Sequence, residues 1–178
     1  MLAALILGKL GNQSPIWVIY FFIISYALIL EPAQTNQPSM IKLIIVDDHS
    51  HVRQAWSWVL NQVPRLKVIA QCANGQEAIE AAKNLQPDVI LMDINMKPVN
   101  GIEATRSIRE FAPDMKIIGV SVQAERSYVN EMLRNGANGY VTKNSPSAEM
   151  VMAIDEVLAG NTYICEEIRD RTHAGIGW

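Results

Sequence analysis

From Met40 onward, short apolar runs alternate with segments of helical spacing, and this alternation restricts the fold more than any other feature. Five apolar runs are predicted as strands: residues 41–46, 66–72, 87–93, 115–121 and 139–143. A helical segment follows each of them after a short connection. Five β–α units of this kind predict an α/β domain whose doubly wound parallel sheet is covered by helices on both sides.

Several helices carry recognisable start and stop signals. The second is predicted to open at Asn74–Gly75, and the fourth to stop at Gly136. The last is predicted to begin with Ser145 as its cap and Pro146 in its first turn, and to end at Gly160.

Polar side chains stand where the predicted strands end. The first strand leads into Asp47 and Asp48. The third, fourth and fifth strands end in Asp93, Ser121 and Lys143. Because ligands of such sheets bind outside the carboxyl ends of the strands, we expect these side chains to converge. Carboxylates held together in a semi-buried place need a cation between them, or one must take up a proton. Three carboxylates suit Mg²⁺, which prefers carboxylate oxygens, water and a substrate phosphate.

Four stretches carry a family resemblance: "IIVDDH", "DVILMDINMKPVNGIEATRSIR", "IIGVSV" and "NGANGYVTKN". In this order and at strand ends, they resemble the receiver domain of bacterial two-component response regulators, over about Met40 to Asn161. The resemblance is to the branch that usually carries a C-terminal helix-turn-helix, and "GNTYICEEIRD" resembles its segment after the last receiver helix. The expected organisation is a hydrophobic segment and linker in 1–39, a receiver in 40–161, and a tail in 162–178 without a recognisable output domain.

The resemblance implies a chemical role for each acidic residue. Asp93 stands at the position of the phosphoacceptor, which attacks the phosphohistidine of a sensor histidine kinase or phosphotransfer protein to form an acyl phosphate. Asp48 would bind Mg²⁺ directly and Asp47 mostly through water, and the backbone carbonyl of Asn95 would supply a further ligand. Asp93 completes the implied metal site.

The remaining positions imply a switch. Lys143 would bridge Asp93 and later a phosphate oxygen, Ser121 would donate a hydrogen bond to the phosphoryl group, and Tyr140 matches the aromatic that reports this movement. Phosphorylation is then expected to change the surface of the fourth helix, fifth strand and fifth helix, and so to control a partner or homodimerisation. The expected activity is a signalling switch, which catalyses only its own phosphorylation and dephosphorylation.

The sequence also departs from the family pattern. Lys97 replaces the usual proline, with Pro98 one place later, but Gly101 keeps its spacing, so a small loop change around an intact site is expected. Val122 follows the switch serine where a smaller residue is common, and we expect it to narrow the access of water. Nothing after Asp170 resembles a helix-turn-helix, and the chain has no basic run, so direct DNA binding by this chain is not expected.

Three alternatives come from other classes of protein. An aspartyl-phosphate phosphatase of the haloacid dehalogenase type needs a second aspartate two residues after the nucleophile, where this chain has Asn95. A phosphorylation-independent interaction module would not need the full set of strand-end residues. A hydrolytic metal centre at His49 and His51 lacks a third ligand set, and both are interpreted as helix-start histidines.

The N-terminal segment has a different character. Residues 11–30 carry no charge and have about the length of a membrane span, and a polar, proline-containing linker comes after them. Because Lys9 precedes this run, the distribution of positive charge would export the part of the chain after Leu30. Three interpretations stay open: upstream sequence before a start at Met40, a membrane anchor, and a signal peptide. We expect a cytoplasmic receiver, with membrane attachment through residues 11–30 as the alternative, and we expect 40–178 to fold without 1–39.

Overall fold

The computed structural model describes residues 39–173. In chain order its elements are β1 (Ile41–Val46), α1 (Ser50–Leu60), β2 (Leu66–Cys72), α2 (Gly75–Leu85), β3 (Val89–Asp93), α3 (Gly101–Phe111), β4 (Lys116–Ser121), α4 (Arg126–Arg134), β5 (Gly139–Thr142), α5 (Ser147–Leu158), β6 (Tyr163–Ile164) and α6 (Glu166–His173). The predictions for the hydrophobic segment 11–30 and for its linker lie outside the described residues. Between 39 and 173, no helix has both the length and the apolar character needed to cross a membrane.

All neighbouring strands of the sheet run parallel, in the order β2-β1-β3-β4-β5-β6. The predicted doubly wound α/β fold is therefore confirmed, with one short strand more than the five predicted. The chain moves from β1 to one side to form β2, and then returns past β1 to form β3. This reversal leaves a crevice between the carboxyl ends of β1 and β3, which is where ligands of this architecture bind.

Helices cover the sheet in two layers, one formed by α2, α3 and α4 and the other by α1 and α5. The strands between them are apolar because both of their faces are covered. Every residue of β3 is buried, and so are Leu43–Val46 in β1 and Ile117–Ser121 in β4. The core thus fixes the backbones of the two strands that border the crevice, β1 and β3, and of the neighbouring β4.

Side-chain caps fix the start of two helices. The side chain of Asn74 accepts a hydrogen bond from the backbone N–H of Glu77 at 3.0 Å, which confirms the predicted opening of α2. Asn100 and Glu103 form a reciprocal capping box at the start of α3. The predicted Ser145 cap of α5 is wrong by one position, because Pro146 occupies the N-cap and the Ser145 hydroxyl lies 3.2 Å from that of Thr142 instead.

The core continues beyond residue 161. Tyr163 and Ile164 pair with Gly139 and Tyr140 of β5, which adds β6 to the edge of the sheet. The side chain of Tyr163 is buried, and α6 begins directly after it. Part of the segment expected as a tail therefore packs on the same domain.

Candidate functional site

Two buried carboxylates lie at the carboxyl ends of β1 and β3. Asp47 is 2% exposed and Asp93 is 3% exposed, although both carry an ionisable group. Asp47 directly follows β1 and Asp93 is the last residue of β3, so the core that holds these apolar strands also places their carboxylates in the crevice. Asp48 is the next residue along the chain from Asp47, and 41% of its side chain is exposed.

Lys143 brings a positive charge to this pair from the far side of β4. Its Nζ atom lies 2.6 Å from Asp47 Oδ2 and 2.9 Å from Asp93 Oδ2. The side chain is only 15% exposed, so solvent screens these contacts less than it screens a surface ion pair. Its backbone N–H donates to the Ser121 carbonyl at 2.8 Å, which continues the pairing of β4 with β5 beyond Thr142.

Burial sets the protonation behaviour of this group. It raises the pKa of Asp93 above the usual aspartate range, even though hydrogen bonds from Lys143 and from the backbone N–H of Asn95 favour the anion. Burial alone would lower the pKa of Lys143, but the bonds to Asp47 and Asp93 outweigh it and raise that pKa. Lys143 therefore stays positively charged beside a poorly solvated carboxylate, which is an arrangement that suits a nucleophile.

The carboxylates form a group that fits a divalent cation. One ligand atom from each of Asp47, Asp48, His49 and Asp93 lies within 4.8 Å of the others. Three carboxylates provide the hard oxygen donors that Mg²⁺ prefers. The side chains that were predicted as metal ligands from the sequence are thus brought together.

His49 belongs to this group as well. It is the N-cap residue of α1, as expected of a helix-start histidine, and its backbone N–H donates to Asp47 Oδ1 at 2.9 Å. Its Nδ1 also lies 2.5 Å from Asp48 Oδ1. The imidazole therefore has a role in the site that the helix-start interpretation did not include.

Ser121, Asn95 and Tyr140 meet through a residue that the sequence did not single out. The fully buried Ser121 hydroxyl donates to the side-chain oxygen of Gln123 at 2.8 Å, and the Asn95 side-chain amide donates to the same oxygen at 2.7 Å. The backbone N–H of Gln123 donates back to Ser121 Oγ at 3.2 Å. Gln123 thus joins the end of β4 to the loop after Asp93.

Tyr140 reaches the same residue from β5. Its hydroxyl donates to the backbone carbonyl of Gln123 at 2.8 Å, and the side chain is fully buried. Burial raises the pKa of Tyr140 to about 12, so its hydroxyl keeps its proton and stays a donor. Both expected switch residues, Ser121 and Tyr140, are therefore hydrogen-bonded to Gln123.

The loop after Asp93 contains the departures noted in the sequence. The Lys97–Pro98 peptide bond is cis. The backbone N–H of Gly101 donates to the Ile94 carbonyl at 2.9 Å, and a Cβ atom at 101 would overlap the carbonyl oxygen of Asp93. Glycine is required at 101 for this close approach, which explains why its spacing from Asp93 is kept.

Comparison with known proteins points to one family. The family model described as response regulator receiver domain matches residues 43–155. Response regulator GacA of Pseudomonas syringae pv. syringae (strain B728a) is 42% identical over 129 residues, which cover 72% of this chain and 60% of GacA. Transcriptional regulatory protein DegU of Brevibacillus brevis is 38% identical over 131 residues, which cover 74% of this chain and 55% of DegU. The chain thus matches less than two thirds of the length of these relatives.

A solved structure shares the same architecture. The crystal structure of a LuxR-family two-component response regulator from Aurantimonas sp. SI85-9A1 superposes with a TM-score of 0.73 at 32% sequence identity. The match covers 76% of this chain and 97% of that chain.

Proposed function

The chain belongs to the response regulator receiver family, and from that premise we propose that it is a phosphorylation-dependent signalling switch with Asp93 as its phosphoacceptor. The phosphoryl donor is a sensor histidine kinase or a phosphotransfer protein. The observation that carries the proposal is the buried contact of Asp93 with Lys143, which is 2.9 Å long. It lies at the carboxyl ends of the strands, next to Asp47 and Asp48.

The geometry supports a direct transfer to Asp93. A carboxylate oxygen of Asp93 attacks the phosphorus of the phosphohistidine, and an acyl phosphate O–P bond forms as the P–N bond breaks. The electron pair of the broken bond leaves with the imidazole nitrogen. Lys143 can then move its ammonium from Asp93 to an oxygen of the new phosphoryl group.

The donor set supports a Mg²⁺ cofactor at the same edge. Asp48 would hold it directly, Asp47 mostly through water, and Asp93 and the backbone carbonyl of Asn95 would complete the protein ligands. When bound, the ion supplies positive charge that stabilises the transferring phosphoryl group.

The switch is proposed to act through Ser121 and Tyr140. To donate a hydrogen bond to the phosphoryl group, the Ser121 hydroxyl must leave the side-chain oxygen of Gln123. The same loop holds the Tyr140 hydroxyl through the Gln123 carbonyl, so movement of Ser121 and of Tyr140 is coupled. A ligand shifts such an equilibrium only by its different affinity for the two states, and the phosphoryl group provides that difference.

The proposed output is the surface formed by α4, β5 and α5, because Ser121 precedes α4 and Tyr140 lies in β5. This surface would act on a separate protein or on a second copy of the chain. We place the receiver in the cytoplasm, where kinases of this class act, with membrane attachment through residues 11–30 as the alternative. In this proposal, the catalysis by the chain is limited to its own phosphorylation and dephosphorylation.

The test is phosphorylation of the purified full chain by a small acyl phosphate donor, with Mg²⁺ or with a chelator. Labelling is expected only with Mg²⁺, and Asp93→Asn is expected to abolish it. Asp114→Asn is the matched control, because this exposed carboxyl precedes β4 and so lies at the amino-terminal ends of the strands, away from the site. Persistent labelling of the Asp93→Asn protein would overturn the site assignment.

A further inference from the structure

A carboxylate of α6 reaches the residues that surround Lys143. The fully buried Thr142 hydroxyl donates to Glu167 Oε2 at 2.8 Å. The Ser145 hydroxyl lies 3.2 Å from that of Thr142 and is also hydrogen-bonded to the carboxylate of Glu149. Glu167 thus fixes the side chain of Thr142, the residue directly before Lys143 along the chain.

The helix that carries Glu167 is itself held on the domain. The backbone N–H of Cys165 donates to the Tyr140 carbonyl at 3.0 Å, and Ile168 is 4% exposed. The backbone N–H of Glu166 donates to Glu149 Oε1 at 2.7 Å, which joins the start of α6 to α5. Glu167 therefore contacts Thr142 from a fixed position.

Lys143 needs such a fixed position. Its ammonium contacts Asp47 and Asp93 at the same time, although it stands on a flexible four-carbon side chain. The point from which this side chain starts is set by the backbone at Thr142 and Lys143. A hydrogen bond to a carboxylate is stronger than one between neutral groups, so the contact with Glu167 can restrain this end of β5.

We propose that Glu167 is a positioning residue for phosphorylation, which acts through Thr142 to hold Lys143 against the acceptor carboxylate. The inference rests on the proposed function of Asp93 and Lys143. It gives α6 a part in the chemistry of the receiver, through the hydrogen bond to Thr142.

The test measures phosphorylation of the full chain over a range of concentrations of a small acyl phosphate donor. In Glu167→Ala, the saturating rate is expected to fall about fivefold, the factor that corresponds to one hydrogen bond of ordinary net strength. The half-saturating donor concentration is expected to stay unchanged, because Glu167 does not contact the donor. Glu167→Gln keeps an acceptor oxygen at this place and is expected to restore most of the rate.

A second variant and a control separate positioning from a loss of structure. Thr142→Val keeps the shape of the side chain but removes the hydroxyl, so it is expected to lower the saturating rate as much as Glu167→Ala does. The double variant Thr142→Val/Glu167→Ala is expected to be no slower than either single variant. Glu166→Ala is the control, because only the backbone N–H of that residue is used in the contact with Glu149. If Glu167→Ala unfolds in a thermal melt, Thr142→Val and Glu167→Gln decide the question.

The outcomes distinguish this inference from the proposed function. If the wild-type chain is labelled at Asp93 and Thr142→Val keeps the full rate, the inference is wrong and the proposed function stands. Additive effects of Thr142→Val and Glu167→Ala, or a Glu167→Gln protein as slow as Glu167→Ala, also overturn it. If the wild-type chain is not labelled, or if Asp93→Asn still is, both fail.

Discussion

Replacing Gln123 by alanine is expected to destabilise the fold and at the same time to speed phosphorylation. The side-chain oxygen of Gln123 accepts one hydrogen bond from Ser121 and another from Asn95, and alanine removes both. The backbone contact from Tyr140 to the Gln123 carbonyl does not need the side chain and is kept.

The contact with the buried serine sets the size of both effects. Ser121 is fully buried, so its hydroxyl loses an acceptor that water replaces poorly, whereas Asn95 is exposed and can bond to water. Because Ser121 Oγ still accepts from the backbone N–H of residue 123, losing this one acceptor is expected to cost about 1 kcal/mol of unfolding free energy, or a melting temperature lower by roughly 3 °C. In the wild type, Ser121 must break this bond before it can reach a phosphoryl group. Removing a net bond of about 1 kcal/mol is therefore expected to speed phosphorylation about fivefold.

Two measurements on the same preparations check whether stability falls while the rate of phosphorylation rises. Thermal melts give the loss of stability, and labelling by a small acyl phosphate donor with Mg²⁺ gives the rate. Gln76→Ala is the matched control, since it removes a glutamine whose side chain donates to Glu80 on the exposed side of α2. In a Ser121→Ala background, Gln123→Ala should no longer speed labelling. A Gln123→Ala protein that is destabilised but labelled no faster than the wild type would refute the idea that Gln123 restrains Ser121.

Four further results are expected. Asp48→Ala should weaken Mg²⁺ binding measured by calorimetry, and an unchanged affinity would remove Asp48 from the ligand set. Val122→Ala should shorten the lifetime of the acyl phosphate by admitting water; an equal lifetime would mean that access is controlled elsewhere. Because burial raises the pKa of Asp93, the wild type should lose stability as the pH rises from the usual aspartate range through that raised value. In chelator, Asp93→Asn should therefore be the more stable protein at neutral pH but not at low pH, and equal melts at both would contradict this. Residues 40–178 should melt cooperatively without 1–39, and an unfolded product would make that segment part of the domain.

The sheet and the ends of its strands could be predicted because both depend on backbone patterns. Once the apolar runs are recognised as parallel strands, their carboxyl ends must share one edge. Asp47, Asp93 and Lys143 are placed by that rule alone, whatever their side-chain rotamers. The contact of Lys143 with Asp93, 2.9 Å long, is the one that the family resemblance implies, whereas its contact with Asp47 at 2.6 Å was not predicted.

Gln123 and Glu167 could not be predicted in the same way. Neither lies in a core strand, and a polar residue in a loop or in a short terminal helix carries no periodic signal. Their contacts depend on which rotamer meets which hydroxyl across the fold, at Ser121 for Gln123 and at Thr142 for Glu167. The error at Ser145 has the same cause, because its hydroxyl contacts the side chains of Thr142 and Glu149 and does not cap α5.

The adjacent aspartates show how the structure lowers their repulsion with groups of the chain itself. The two residues come directly after β1, where the chain bends, and their side chains reach different surroundings. Asp47 is directed inward to Lys143, whereas Asp48 is largely exposed and lies against His49. The expectation that a metal makes the pair tolerable is therefore incomplete, since each carboxylate already has a nitrogen partner. A cation that binds Asp48 through Oδ1 would compete with His49 for that oxygen, so the affinity of the site is expected to depend on the imidazole as well as on the carboxylates.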